Sequence, residues 1–450
     1  YLFSVNLFKG FLMISYMSRE LSLKFKIKLI FYIALIVSNI VIISAFTSLN
    51  LIQTYHDVDR RSNGNTFACI SPFFDLIVDQ ITIARNPEVV GPPSLVEPND
   101  PNQRVIEINP KGQIVWETSG FAFPHEVLEL PNGHILVADT FFDRVVEIDY
   151  PNKNIVWSWE PALINWTEIN PAWGEDHYYN TPLAYDWTHL NDIDYKNYST
   201  WEAILISIRN FDLIVEVNYT AEKIGPANNP LNINWYYGDR DNHSLLNHQH
   251  NPDYTSTGDI IVSDSESNRI VEIDYNTKNV LWEYDEGLLW PRDADELPNG
   301  NILITDSINN RIIEVEKSSK EIVWQYRTDL VVPYEADQLP NGNILIGNGY
   351  GGVVYEINRQ GIVVWRFGFS FFKSFAYANF INIMILLFIS SIFKYKKIKT
   401  SELIRKKKII NIVILAVYIS FIIFFIYLTI FYNDLVAWIS SMIIRATFNI

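Results

Sequence analysis

The sequence predicts an all-β, six-bladed propeller flanked by membrane-spanning helices. Three observations lead there: a unit that recurs between residues 104 and 365, an Asn-Gly pair at a fixed place in its clearest copies, and a Trp that closes each copy. The unit reads LPNGHILVADTFFDRVVEIDYPNKNIVW at 130–157, LPNGNILITDSINNRIIEVEKSSKEIVW at 297–324 and LPNGNILIGNGYGGVVYEINRQGIVVW at 339–365. Asn-Gly supplies the positive φ angles of a two-residue hairpin. Runs such as VVEI alternate, with two apolar side chains on one face and the Glu on the other. A lead-in strand, the turn and short Ile/Val runs make four strands in about 40 residues, the size of a propeller blade.

The blades follow in order. RVIEI and QIVW at 104–116 supply half of the first, and its missing half is expected from 70–100, where DLIVDQITIA is the strand-like run. The second is the 130–157 unit with its lead-in. The third is degenerate, beginning AILISIRNFDLIVEV at 203 and ending NINW at Trp235. The fourth is STGDIIVSDSESNRIVEIDYNTKNVLW at 256–282, and the other two clear copies complete the ring. The closing residues Trp116, Trp157, Trp235, Trp282, Trp324 and Trp365 are read as blade-to-blade packing, not ligand contacts. Insertions at 158–186 and 236–247 are either lids or glycosylated surface loops.

Three segments, 29–47, 374–393 and 409–432, are apolar over about 20 residues, the length that crosses a bilayer. Arg19, Lys24, Lys26 and Lys28 precede the first; Lys394, Lys396, Lys397, Lys399, Arg405, Lys406, Lys407 and Lys408 lie between the other two. Basic flanks stay cytoplasmic. Both clusters satisfy that rule with 1–28 and 394–408 inside, 49–372 outside and 433–450 as a short outer tail. The expectation is a multi-pass cell-membrane protein, embedded in bilayer lipid, with an extracellular propeller. Residues 1–16 precede Met17 and are compatible with a start at Met17; no small-residue cleavage site follows the first span, which reads as an uncleaved anchor. The net charge is −16, and only Glu20, Glu402 and Asp434 among 51 acidic residues lie outside 49–372, so the outer domain repels nucleic acid. The single cysteine, Cys69, excludes an intramolecular disulfide and a thiolate metal cluster. Sequons at Asn165, Asn197, Asn218 and Asn242 suit an outer, glycosylated face.

The repeat also places side chains. Eight residues before the turn glycines Gly133, Gly258, Gly300 and Gly342 stand His125, His250, Arg292 and Tyr334, at the start of the innermost strand; DWTHLNDIDY of the third blade offers His189. Five blades thus aim polar groups at the channel where a core position would be apolar. His250 belongs to HSLLNHQHNPDY at 243–254, whose other imidazoles, His243 and His248, fall in the inserted loop. Where other blades have Thr140, Ser265, Ser307 and Gly349, the third has Arg209, a cation that needs room and an anion.

DWTHLNDIDY, then ILISIRN, NINWYYGD and NHQHNPDY, resembles the bacterial arylsulfate sulfotransferases in order and spacing. The resemblance covers about 100–365 and is most specific over 186–264. It implies a six-bladed propeller that moves a sulfuryl group between phenols with neither nucleotide nor metal. His250 matches that family's transiently sulfated histidine, His189 and Asn191 its His-x-Asn, Arg209 its sulfate-binding arginine, and His125 a further histidine of the site. The chain departs from the family in lacking a possible disulfide, in keeping at most a remnant of the N-terminal β-sandwich within 49–100, and in carrying apolar spans.

The chemistry suits the residues. Sulfuryl transfer resembles phosphoryl transfer, in which charge spreads over three equatorial oxygens and fixed positive donors do most of the work. Arg209 can hold two oxygens in a fork; neutral imidazole is a competent nucleophile near pH 7; a phenol acceptor needs a base, which His125 or His189 could supply. Asn191, Arg292 and Tyr334 complete the expected substrate contacts, with an aryl sulfate and a phenol as small-molecule partners. Two other readings stay open: a metal-dependent lyase or lactonase with three histidines around Zn²⁺, which Arg209 opposes, and a non-catalytic propeller that binds anionic ligands or serves as a membrane-anchored sensor.

Overall fold

The computed structural model describes residues 53–72, 102–174, 187–239 and 243–370. These form six four-stranded antiparallel sheets, each built from four strands consecutive in the chain. The first strand of every sheet neighbours the first strand of the next, and the sixth returns to the first, so six inner strands ring one channel. They are Gln53–Arg60, Pro124–Glu129, Leu190–Asn197, His250–Tyr254, Pro291–Glu296 and Glu335–Gln338. The six-bladed propeller is thereby established. The apolar segments 29–47, 374–393 and 409–432, and the basic loop 394–408, lie outside the described residues. Among the described residues no helix is long and apolar enough to cross a membrane.

The first blade corrects the expectation for its missing half. Its inner strands are Gln53–Arg60 and Thr66–Pro72, joined by a turn at Gly64 (φ 86°); DLIVDQITIA, at 75–84, lies outside the described residues. The inner strand reads QTYHDVDR, and its polar residues hide it from a search for apolar alternation because one of its faces lines the channel. The part of 49–100 described here is therefore blade, not the remnant of a sandwich.

Blade-to-blade packing has a polar component at each seam. The closing Trp donates its indole N–H to a backbone carbonyl of the next blade: Trp116 to Pro151 (3.1 Å), Trp235 to Tyr275 (2.7 Å), Trp282 to Lys317 (2.8 Å), Trp324 to Arg359 (2.9 Å) and Trp365 to Pro110 (3.1 Å). Trp157 differs. Its Nε1 is buried without a partner, and its ring packs edge-on against Tyr219 (5.1 Å between centroids), which lies in a short helix, Tyr219–Ile224, inserted in the third blade. The Glu of each VVEI-like run is also buried rather than solvated. Glu107 meets Arg61 and Tyr150, Glu216 meets Tyr254 and Tyr275, Glu272 meets Lys317, and Glu356 meets Arg60. The face opposite the apolar pair thus carries charged ties to a neighbouring blade, because both faces of every blade are covered.

The 158–174 part of the first insertion packs on the third blade: Trp166 and Trp173 are buried, with Trp166 against Phe211 (5.7 Å) and Trp173 against Tyr236 (5.1 Å).

Candidate functional site

Five of the six inner strands enter the channel through a residue in the left-handed region, followed two positions later by a channel-facing side chain. The left-handed residues are Phe123 (φ 54°), His189 (48°), His248 (51°), Trp290 (50°) and Val332 (45°). Two residues on stand His125, Asn191, His250, Arg292 and Tyr334. Strand pairing agrees, since the register slips at His125, Asn191 and Arg292, each one residue before a paired Glu126, Asp192 or Asp293. The third blade therefore places Asn191 in the repeat position, and His189 one step above it. That blade lacks the turn glycine from which the count was made, so its register was miscounted by two. The first blade supplies the sixth member, His56, eight residues before Gly64; the same count reveals it in the sequence, where it was missed.

All of these side chains are buried. Adjacent rings lie close: His56 to His125 4.2 Å, His56 to Tyr334 5.1 Å, His125 to His189 5.0 Å and His250 to Trp290 5.6 Å between centroids. The Arg292 guanidinium lies over Tyr334 (3.8 Å) and Trp290 (5.2 Å).

Hydrogen bonds assign the imidazole tautomers. Ser265 Oγ has one proton, which it donates to the Pro291 carbonyl (2.6 Å), so it accepts from His250 Nδ1–H (2.7 Å). The lone pair of His250 is therefore on Nε2. His125 Nδ1–H donates to the Phe123 carbonyl (2.9 Å), which leaves Nε2 as its basic atom. Thr54 Oγ1 donates to Ser71 O (3.0 Å) and so accepts from His56 Nε2–H (3.3 Å), leaving His56 Nδ1 buried without a partner. Burial, with Arg292, Arg209 and neighbouring imidazoles nearby, holds the pKa values of His56, His125, His189 and His250 well below the ordinary histidine value. The four rings are neutral at pH 7.

The two arginines differ. Arg209 Nη2 pairs with Glu266 Oε1 (3.0 Å) and Nη1 donates to Asn210 Oδ1 (2.9 Å), so the anion it requires is supplied by the next blade. Arg292 forms no salt bridge with a carboxylate among the described residues, although Glu335 is near enough to act on it through space; its Nε is buried without a partner, and burial depresses its pKa. Asn191 Nδ2 donates to the Gln249 carbonyl (2.9 Å) while its Oδ1 is buried and unpartnered. In two repeats the small residue serves the group before it. Ser265 braces His250, and Gly349 leaves room for Tyr334, whose Cδ1 would stand 2.8 Å from a Cβ there.

Among the described residues, potential metal-ligand atoms converge in two places, Asp212 with His243 and His248, and Asp253 with Asp293 and Asp295. Neither includes an imidazole of the channel ring.

The fold and this ring define a six-bladed propeller whose channel is lined by buried imidazoles, an asparagine, a tyrosine and the Arg292 guanidinium. A family model described as arylsulfotransferase (ASST) matches residues 95–244, which supports an arylsulfotransferase-type function in general. The matched span contains His125, His189, Asn191 and Arg209 and ends before His250. No curated protein matches the chain in sequence. Among solved structures, the chain is similar to a Bacteroides caccae protein of unknown function (16% identity over 59% of this chain and 90% of that one, TM-score 0.40). It is also similar to a streptogramin B lyase (11%, 70% and 83%, TM-score 0.43) and to a catalytically inactive virginiamycin B lyase from Staphylococcus aureus with quinupristin (11%, 67% and 94%, TM-score 0.39).

Proposed function

We propose that the chain transfers a sulfuryl group from an aryl sulfate to a phenol through a sulfohistidine at His250 Nε2. The observation that carries this reading is Arg292, a buried guanidinium with no carboxylate partner beside a neutral imidazole whose lone pair is not engaged by Ser265. In the first half-reaction Nε2 attacks sulfur, an N–S bond forms, and the S–O bond to the aryl group breaks. The electron pair leaves on the aryl oxygen, which departs as a phenolate and takes its proton from solvent. In the second, a phenol gives its proton to His125 Nε2 or His189, its oxygen attacks sulfur, and the N–S bond breaks to restore neutral His250. Arg292 grips the equatorial oxygens, where fixed donors stabilise the transition state. Arg209, partly neutralised by Glu266, takes a lesser part. Asn191 Oδ1 offers an acceptor for the phenol O–H, and Tyr334 flanks the aryl ring. The zinc-lyase reading loses support because the ring imidazoles do not converge and Arg292 would repel a divalent cation.

The test uses the full-length chain with a chromogenic aryl sulfate and a phenol. Phenol-dependent release of the chromophore with stoichiometric sulfation of the acceptor is expected. Tight binding of the aryl sulfate without turnover would replace the enzyme by an anion-binding propeller.

The two basic clusters favour a membrane-anchored protein with the propeller outside the cell and residues 394–408 inside. An impermeant thiol reagent applied to intact cells should label Asn276→Cys and spare Lys397→Cys. The opposite pattern would reverse the topology.

A further inference from the structure

The histidine-rich stretch leaves two imidazoles, His243 and His248, that the transfer chemistry does not use. Their neighbour is Asp212 of the third blade, one member of a repeated tie between blades. At this place Asp143, Asn268 and Asn310 adopt the left-handed conformation (φ 50°, 56° and 51°). Their Oδ1 atoms accept backbone N–H groups of the following blade, from Thr188 (2.7 Å), Trp290 (2.8 Å) and Val332 (2.7 Å). Asp212 (φ 51°) does the same for His248 N (2.8 Å).

The second head-group atom sets Asp212 apart. Asp143 Oδ2 accepts from Trp187 N (3.1 Å), and the Nδ2 atoms of Asn268 and Asn310 donate to the carbonyls of Glu266 (3.4 Å) and Ile308 (3.0 Å). Asp212 Oδ2 is buried without a hydrogen bond, although His243 Nδ1 stands only 2.6 Å away. The two atoms are close but not aligned as donor and acceptor. Asparagine performs the structural task in the next two blades, so the charged oxygen of Asp212 is surplus to the fold.

His248 completes the cluster. Its Nδ1 is 3.9 Å from Asp212 Oδ1 and 3.3 Å from Glu266 Oε2, and its ring stacks on His243 (5.3 Å, 25°). One ligand atom from each of Asp212, His243 and His248 lies within 4.8 Å of the others. Two imidazole nitrogens and a carboxylate oxygen suit zinc and its divalent transition-metal neighbours, whereas calcium and magnesium favour oxygen alone. His243 is 58% exposed, which gives an ion a path in and leaves a coordination position open.

We propose that Asp212, His243 and His248 bind one zinc-class divalent ion, which pins the segment before the fourth blade onto the third. Glu266 Oε2 stands beside His248 Nδ1, and its other oxygen links the cluster to Arg209. This site does not depend on sulfuryl transfer. Its competitor is a metal-free pair of imidazoles held by the two carboxylates.

The full-length chain, stripped with a chelator and dialysed, is titrated calorimetrically with Zn²⁺ alone, and with Co²⁺ while its visible spectrum is recorded. One Zn²⁺ per chain is expected, with the visible absorption of low-coordinate cobalt and no competition from Ca²⁺ or Mg²⁺. His243→Asn and His248→Ala should each weaken zinc at least tenfold. The exposed His243→Asn variant should keep the metal-free unfolding temperature of the wild type, which separates lost binding from lost folding. No stoichiometric zinc, or zinc bound equally well by both variants, would overturn the site.

Discussion

Two levels of the same six strands carry opposite chemistry. At the first level stand His56, His125, Asn191, His250, Arg292 and Tyr334, with His189 just above; none is a carboxylate. One and three residues further along lie Asp57 and Asp59, Asp293 and Asp295, Glu335 and Asp337, joined by Glu126, Asp192, Asp194 and Asp253. Burial pushes the pKa values of these carboxyls up, to about 6 for Asp194 and about 7 for Asp293 by burial alone, to about 6 for Asp59 and well above the ordinary range for the others with repulsion between carboxylates added. No guanidinium or ammonium group hydrogen-bonds Asp57, Glu126, Asp192, Asp293 or Glu335 among the described residues; Asp57 and Asp293 rely on backbone N–H groups of Val127 and Ala336. The contrast shows how charge is sorted by depth. In the proposed reaction the Arg292 guanidinium and the neutral imidazoles would hold the aryl sulfate at the first level, above the carboxyls.

The largest expected effect comes from the first level. Arg292→Gln removes the unpaired cation but keeps polarity, and turnover should fall roughly 10²–10³-fold, by analogy with loss of one oxyanion donor. Steady-state kinetics check this; unchanged turnover would place the anion elsewhere.

Acid and base should act on the two levels in opposite directions. The imidazoles have depressed folded-state pKa values, so the unfolded chain takes up more protons below about 6.5, and the stability they contribute above that pH is lost as pH falls. The carboxyls have raised folded-state values. Their contribution is fully present below about 3.9–4.3 and is lost as pH rises through the folded values, about 6 to 7 where these are resolved. Glu126→Gln keeps a donor for Asp192 and removes one titrating carboxyl. Chemical denaturation from pH 5 to 9 should show a shallower loss of stability on the alkaline side in this variant. An unchanged alkaline slope would show that Glu126 does not titrate with folding.

Arg209→Lys should cost less than Arg292→Gln, roughly tenfold in kcat/KM, or about 1.4 kcal/mol, since Glu266 already engages that guanidinium. A larger loss than for Arg292→Gln would exchange the roles of the two arginines. Trp282→Phe should be smallest of all. It loses the bond to the Lys317 carbonyl, about 1 kcal/mol of stability by denaturant titration, with turnover unaffected.

The sequence made the first level legible wherever a turn glycine anchored the count, as at His125, His250, Arg292 and Tyr334. His56 was hidden although Asn63-Gly64 marks its turn, because its strand carries no apolar alternation and follows an apolar segment within a few residues of sequence. His189 and Asn191 were exchanged in register because the third blade turns through Ser199 (φ 69°) rather than glycine. Glu266 was invisible as the partner of Arg209, since the contact joins residues 57 positions apart across a blade seam. The carboxyl level was present in the letters but lacked meaning until strand register aligned it. Ser265 looked merely small; its role in fixing the His250 tautomer depends on the Pro291 carbonyl of the next blade.

The central claim is that His250 Nε2 carries the sulfuryl group. The full-length chain, mixed with an aryl sulfate in the absence of acceptor and quenched, should show by peptide mass analysis a single added sulfuryl group on His250. That label should disappear on addition of a phenol, and it should be absent from His250→Asn. A label on His248 or His125, or normal turnover by His250→Asn, would contradict the account.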